Sequence, residues 1–277
     1  MNKNYTKQER LNLVVDMYVN QQKSISEISK ELGIGWGTAK RDLQSANIEI
    51  ISKRGRVIPN STVRPNLFEK IETEEDAYWL GFLYADGTVG STRNEIKFEL
   101  QEQDLEAVEN FHAYCGNKNK IFRHVLKRNG KEYISYGSSF TNSIVKQNLI
   151  ALGCVPNKSL ILTCPTEDQV PQPLIHHFAR GYIDGDGCLA MDPNKTYVKC
   201  IEILGTEEFL TGLTARMGWD PVTLDRPKDK RICRLRIRGG QLKVYYELHR
   251  LYDNCSCYLR RKKERYTGTL FQQVNPT

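Results

Sequence analysis

Two short stretches constrain this chain more than anything else in it. Trp79-Leu80-Gly81-Phe82-Leu83-Tyr84-Ala85-Asp86-Gly87 and Ala179-Arg180-Gly181-Tyr182-Ile183-Asp184-Gly185-Asp186-Gly187 share one pattern. Each has an apolar run, a Gly five positions before an Asp, a small residue directly before that Asp and a Gly directly after it. The two acids, Asp86 and Asp186, lie 100 positions apart. A repeat at that spacing predicts a duplicated unit with one motif per half. Each motif reads as a short apolar helix that ends in an acid, because Gly favours the position just past a helix end.

The flanking sequence repeats in the same order. Thr73-Glu74-Glu75-Asp76 reads as a capping box for the first motif helix, and Pro171 and Pro173 open the second. Ile96, Phe98 and Leu100 alternate with Lys97, Glu99 and Gln101, which predicts a strand over 95–101. A helix follows over 104–115, then strands over 120–127 and 131–138 around Asn129-Gly130, a strong hairpin signal, then a helix over 141–152. The second half reads as a strand over 196–204, a helix over 207–217, a hairpin of 222–226 with 231–238, and a closing helix over 241–252. Each half is thus α-β-β-α-β-β-α, with a short strand directly after the motif Gly.

Ahead of the repeat, Thr6 to Glu9 and Ser24 to Glu27 are two capping boxes. They open helices to about residue 20 and to Leu32, and after Gly33 a third helix runs over 36–43. Ile28, Ile34, Ala39 and Leu43 form the inward set. The pattern resembles the helix-turn-helix of resolvase-like and transposase-like DNA-binding domains. That resemblance implies that Gly35, Trp36, Gly37, Lys40, Arg41 and Gln44 face the major groove; the alternative is a plain three-helix bundle with Lys40 and Arg41 merely solvated. Residues 49–72 read as a linker carrying the basic cluster Lys53-Arg54-Gly55-Arg56. Lys53, Arg54 and Arg56 suit a narrow A·T-rich minor groove, or act as a tether that adds only unspecific phosphate attraction.

The net charge of +7 is unevenly spread. Residues 1–70 carry 12 Lys and Arg against 7 Asp and Glu, residues 221–277 carry 14 against 5, and the stretch between carries 14 against 21. Basic ends suggest a polyanion partner. Within the basic end, Cys233, Leu235 and Ile237 alternate with Arg234, Arg236 and Arg238, so one strand face is apolar and the other a row of guanidinium groups. Like charges in a row repel unless a polyanion covers them, which favours a DNA-facing sheet. No apolar run approaches the ~18 residues of a membrane span, and the polar start of the chain shows neither a signal nor a transit peptide, so a cytoplasmic location is expected. The eight cysteines form no Cys-x-x-Cys pair and read as reduced thiols.

With both motifs and their flanks in view, the chain resembles the single-chain, two-motif LAGLIDADG homing endonucleases over residues 73–266. Leu152-Gly153-Cys154-Val155-Pro156-Asn157-Lys158-Ser159 and Tyr258-Leu259-Arg260-Arg261-Lys262 look like the segments that close each half in that family. The physical logic runs parallel: two helices approach closely only where small residues meet, and Gly81 with Ala85 and Gly181 with Gly185 supply such a groove. Their terminal acids would then stand side by side, and two adjacent carboxylates call for a cation between them. Asp-Gly is also an ordinary helix stop, but two copies ending in the same acid favour the site.

The resemblance implies Asp86 and Asp186 as metal ligands, helped by the carbonyls of Ala85 and Gly185, with Mg²⁺ as the metal and Mn²⁺ as its substitute. Lys158 and Lys262 match the family's basic residue that activates water or stabilises transition-state charge. Asp184 is set aside, because Tyr84 stands at its place in the first motif. The expected fold class is α+β, two pseudo-symmetric halves forming a DNA-binding saddle plus a small all-α domain, divided as 1–48, 49–72, 73–170 and 171–277. The expected function is site-specific cleavage of both strands of a long asymmetric DNA target by a monomer. A non-cleaving DNA-binding regulator on the same fold and an intron RNA-splicing maturase are the alternatives.

Overall fold

The computed structural model describes residues 5–21, 23–46, 48, 63–64, 66–191, 197–219, 224–226, 231–238 and 240–274. They fall into two compact units, Met1–Ile58 and Pro59–Thr277. Lys53, Arg54 and Arg56 lie outside the described residues.

The first unit holds three helices, α1 (Lys7–Val19), α2 (Ile25–Leu32) and α3 (Trp36–Ser45). Both capping boxes form, with Thr6 and Ser24 as the caps. Val14, Met17, Tyr18, Ile25, Ile28, Ala39 and Leu43 make one small core. Arg10 clamps the buried Asp42 in a two-pronged ion pair of 2.7 and 3.1 Å, which ties α1 to α3.

In the second unit the first half runs α4 (Glu74–Asp86), β1 (Thr88–Val89), β2 (Glu95–Gln101), α5 (Leu105–Tyr114), β3 (Phe122–Arg128), β4 (Lys131–Thr141) and α6 (Ser143–Ala151). The second half runs α7 (Ile175–Asp186), β5 (Gly187–Met191), β6 (Val198–Gly205), α8 (Glu207–Met217), β7 (Leu224–Asp225), β8 (Cys233–Ile237) and α9 (Gly240–Tyr252). Each half makes one antiparallel four-stranded sheet, of order β1-β2-β4-β3 and β5-β6-β8-β7. The α-β-β-α-β-β-α order expected from the repeat is present twice.

Three details differ from expectation. β4 continues to Thr141 because its far end also pairs with β2, Ile96 opposite Phe140 and Glu95 opposite Thr141. The helix expected from 104 opens with a 3₁₀ turn, Glu102–Asp104, before α5. The chain does not close with α9: a further helix, α10 (Arg260–Val274), begins within the Tyr258–Lys262 segment. Its sequence is dominated by charge, so apolar periodicity gave no signal; the buried Leu259 and Tyr266 dock it.

One core serves both halves, and the two motif helices cross through its middle. Residues Ala77 to Tyr84 of α4 and Phe178 to Asp184 of α7 are all buried. That is why the first motif is apolar around its whole circumference, while the second carries Arg180 and Asp184 as buried charged side chains. Trp79, Phe82, Phe98 and Phe111 form an aromatic cluster that seats α4 on its own sheet, with ring centroids 4.8–6.1 Å apart.

Candidate active site

The contact between α4 and α7 is made by glycines. A Cβ on Gly81 would overlap the carbonyl oxygen of Phe178, and a Cβ on Gly181 would overlap that of Tyr78. The two positions are equivalents in the repeat, so the contact is two-fold. One turn on, a Cβ on Gly185 would collide with the methyl of Ala85 and come 2.9 Å from Oδ2 of Asp86. Backbone thus lies on backbone, and the helix ends carrying Asp86 and Asp186 emerge together.

Both carboxyls are raised above the usual carboxylate range. Burial is the larger cause for Asp86, followed by repulsion from Asp186, and together they push it up to about 6. Asp186 is raised by burial, while Lys158, Lys262 and a hydrogen bond from the Tyr182 hydroxyl relieve it. Both acids also keep an exposed flank. Asp86 accepts no hydrogen bond among the described residues.

Lys158 and Lys262 are not surface lysines: they are only 7% and 2% exposed. Nζ of Lys158 donates to the carbonyl of Gly87, just past the end of α4. Nζ of Lys262 donates to the carbonyls of Ile183, Asp184 (2.8 Å) and Gly187 (2.7 Å), at the end of α7. Each lysine therefore binds backbone carbonyls where a motif helix ends. Burial pulls Lys262 down to about 8, against the pull of Asp184. The acids and lysines named from sequence are thus brought to one place, each lysine on the helix end of its own half.

Sequence reasoning missed the polar groups that brace this place. Arg180, 1% exposed, donates to Glu74 (2.6 Å) and to the carbonyls of Leu251 and Cys257 (2.8 Å each). It locks α7 to the start of α4 and to the segment that leads into α10. Its counterpart in the first motif is Leu80, and that mismatch was the only signal available. Asp184, set aside as a ligand, is fully buried and accepts three hydrogen bonds.

Arg234 and Arg236 stand on the outer face of β8 as the alternation requires, with Cys233, Leu235 and Ile237 inside, and the exposed Arg238 follows directly. Their charges are not left to repel. Arg236 pairs with Glu202 and Asp225 at 3.0 Å each, and Arg234 lies 4.0 Å from Glu202. The carboxylates of β6 and β7 do part of the balancing assigned above to a polyanion. In the first unit, Trp36, Arg41 and Gln44 are exposed along α3, while Lys40 lies 5.4 Å from the Trp36 ring.

Among the described residues no group of three or more His, Cys, Asp or Glu side chains is placed to hold a metal. A cation here would rest on two carboxylates and complete its shell with backbone and outside oxygens. No helix is long and apolar enough to cross a membrane.

Neither a protein-family model nor a curated protein matches the chain. Solved structures do. Full-length DUF199/WhiA from Thermatoga maritima aligns over 75% of this chain at 16% identity and a TM-score of 0.43, and this chain spans only 64% of that protein. The homing endonuclease I-WcaI bound to its DNA recognition sequence aligns over 73% of this chain and 92% of its own, at 14% identity and a TM-score of 0.49. The I-SmaMI LAGLIDADG homing endonuclease bound to cleaved DNA aligns over 74% and 91%, at 11% identity and a TM-score of 0.43. At this level the similarity concerns the fold alone, and the fold stands on the chain's own strand order.

Proposed function

We propose that this chain is a metal-dependent, site-specific double-strand DNA endonuclease of the LAGLIDADG homing type, with α1 to α3 acting as an added helix-turn-helix reader. The observation that carries the reading is the emergence of Asp86 and Asp186 at one point, at the ends of two helices that only glycine allows to touch.

The pair fits a hard divalent cation. Two carboxylates lie close enough to oppose each other's ionisation, and one of them accepts no hydrogen bond, so oxygens are available at the position where negative charge is in excess. Asp86 and Asp186 would hold Mg²⁺, or Mn²⁺ in its place, with the carbonyls of Ala85 and Gly185 as helpers. Such an ion activates water and stabilises a leaving oxygen at a phosphodiester.

The chain's own residues supply the rest. Lys262 spends its three N–H bonds on carbonyls and so fixes the end of α7 beside Asp186, while Lys158 spends one and keeps donors for a phosphate oxygen. Arg234, Arg236 and Arg238 offer phosphate and base contacts from the outer face of the second sheet, and Trp36, Lys40, Arg41 and Gln44 offer them from α3. Both acids come from one chain, so a monomer suffices for two strands. The unequal halves suit a long asymmetric duplex.

The test incubates the protein with a pool of long random-sequence duplexes in Mg²⁺ and compares it with Asp86→Asn and Asp186→Asn. Cutting by the wild type alone, with site binding kept in the variants, is expected. A wild type that selects a site and never cuts it would overturn the endonuclease reading in favour of a DNA-binding regulator.

A further inference from the structure

We infer that Asp184 is a positioning residue: it seats the start of α10, and with it Lys262, against the end of α7. Its carboxylate accepts from the hydroxyl of Tyr78 on α4 (2.9 Å), the hydroxyl of Tyr252 on α9 (2.6 Å) and the backbone N–H of Leu259 (2.8 Å). Leu259 is the residue on which α10 begins, because its carbonyl accepts the N–H groups of Lys262 (2.9 Å) and Lys263 (3.0 Å). Lys262 is therefore one turn from the residue that Asp184 holds. Nζ of Lys262 then returns to the backbone carbonyl of Asp184 itself and to those of Ile183 and Gly187. One residue thus grips α10 at its cap through the side chain and at its first turn through the main chain.

The first half does the same job with other chemistry. Tyr84, at the matching place in the repeat, donates its hydroxyl to the carbonyl of Leu152, where the chain leaves α6 and turns toward Lys158. Gly153 follows with φ +89°, and a Cβ there would overlap the Tyr84 hydroxyl, so the close fit requires glycine. The Cys154 thiol donates to the carbonyl of Leu83 at 3.7 Å, and Lys158 reaches the carbonyl of Gly87. The connection in the first half presents a carbonyl and meets a donor; that in the second presents the Leu259 N–H and the Tyr252 hydroxyl and meets an acceptor. This accounts for Tyr at 84 and Asp at 184, the departure that excluded a shared ligand role.

Two variants of the full chain test the inference, Asp184→Asn, which keeps size and loses charge and one acceptor, and Tyr84→Phe, which loses only a hydroxyl. Amide hydrogen exchange should rise roughly tenfold over 257–266 in Asp184→Asn and over 152–160 in Tyr84→Phe, each leaving the other segment unchanged. Unchanged exchange, or an equal rise across both segments and the sheets, overturns the inference. Should Asp184→Asn fail to fold, Tyr252→Phe, which removes one donor to the Asp184 carboxylate, carries the test over 257–266.

A second arm rests on the endonuclease reading and uses random-sequence duplexes with separately labelled strands. Asp184→Asn should slow the cutting of one strand roughly tenfold and Tyr84→Phe that of the opposite strand, whereas equal slowing of both strands by each variant marks a merely structural role and overturns the positioning claim. A wild type that cuts nothing defeats the endonuclease reading, and hydrogen exchange still decides what Asp184 holds.

Discussion

At Asp86, burial and the neighbouring Asp186 push the carboxyl up to about 6, against about 3.9 for an unfolded chain. The folded state therefore binds this proton more tightly, and the stability it contributes is present below about pH 4 and lost as pH rises through 6. In the absence of metal, the wild type should lose melting temperature relative to Asp86→Asn between pH 4 and 7. Excess Mg²⁺ at pH 7 should restore it, by about 2–4 °C for each kcal/mol of binding free energy. A difference between the two proteins that ignores both pH and Mg²⁺ would contradict the cation site. Arg180 gives the opposite sign through Glu74. Burial, the largest single effect, raises Glu74, but the guanidinium together with the N–H groups of Ser256 and Cys257 outweighs it and holds the carboxyl below its usual range, so this stability is present above about pH 4.5 and lost on acidification. Arg180→Met should cost about 3–5 kcal/mol in urea unfolding, because two carbonyls lose their donor and Glu74 loses its cation, and it should flatten that acid limb.

Between elements, backbone contact at α4 and α7 leaves no room for a methyl group. Gly181→Ala gains about 1 kcal/mol of helix propensity, yet the new Cβ meets the carbonyl of Tyr78, which cannot turn aside. A net loss of at least ~3 kcal/mol in denaturant unfolding is expected, and a stabilised variant would refute the close crossing. On the second sheet, Glu202 sits between Arg234 and Arg236. Glu202→Gln should free both guanidinium groups, tighten binding to non-specific duplex and steepen its salt dependence by about one ion, measured by anisotropy against salt concentration. Unchanged affinity would mean that this face does not meet DNA. The register explains why the pairing was invisible in sequence: Glu202 lies opposite Arg236 only because β6 pairs with β8, 34 residues away.

For the whole molecule, each of the two units has its own core, so each can fold without the other. Removing residues 1–58 should leave the second unit folded, weaken site binding and lower its salt dependence, while the cut position stays unchanged. End-mapping of the cleaved products checks this, and a displaced cut would refute the division of labour.

The doubled α-β-β-α-β-β-α order, the acids at the motif ends and the glycines between them were legible without coordinates. Helix ends, period-2 alternation and the Asn129-Gly130 turn are local properties of consecutive residues, and a repeat is visible by comparing the chain with itself. What Arg180, Asp184, Lys158 and Lys262 do was not legible. Each of them acts on groups 68 to 106 positions away, on carbonyls and hydroxyls that every sequence carries and only a tertiary fold selects. Sequence alone determined that two apolar helices end in paired acids. Tertiary structure decided that those helices touch through their backbones and that buried charges hold their ends, because burial and long-range hydrogen bonding exist only once the chain has closed on itself.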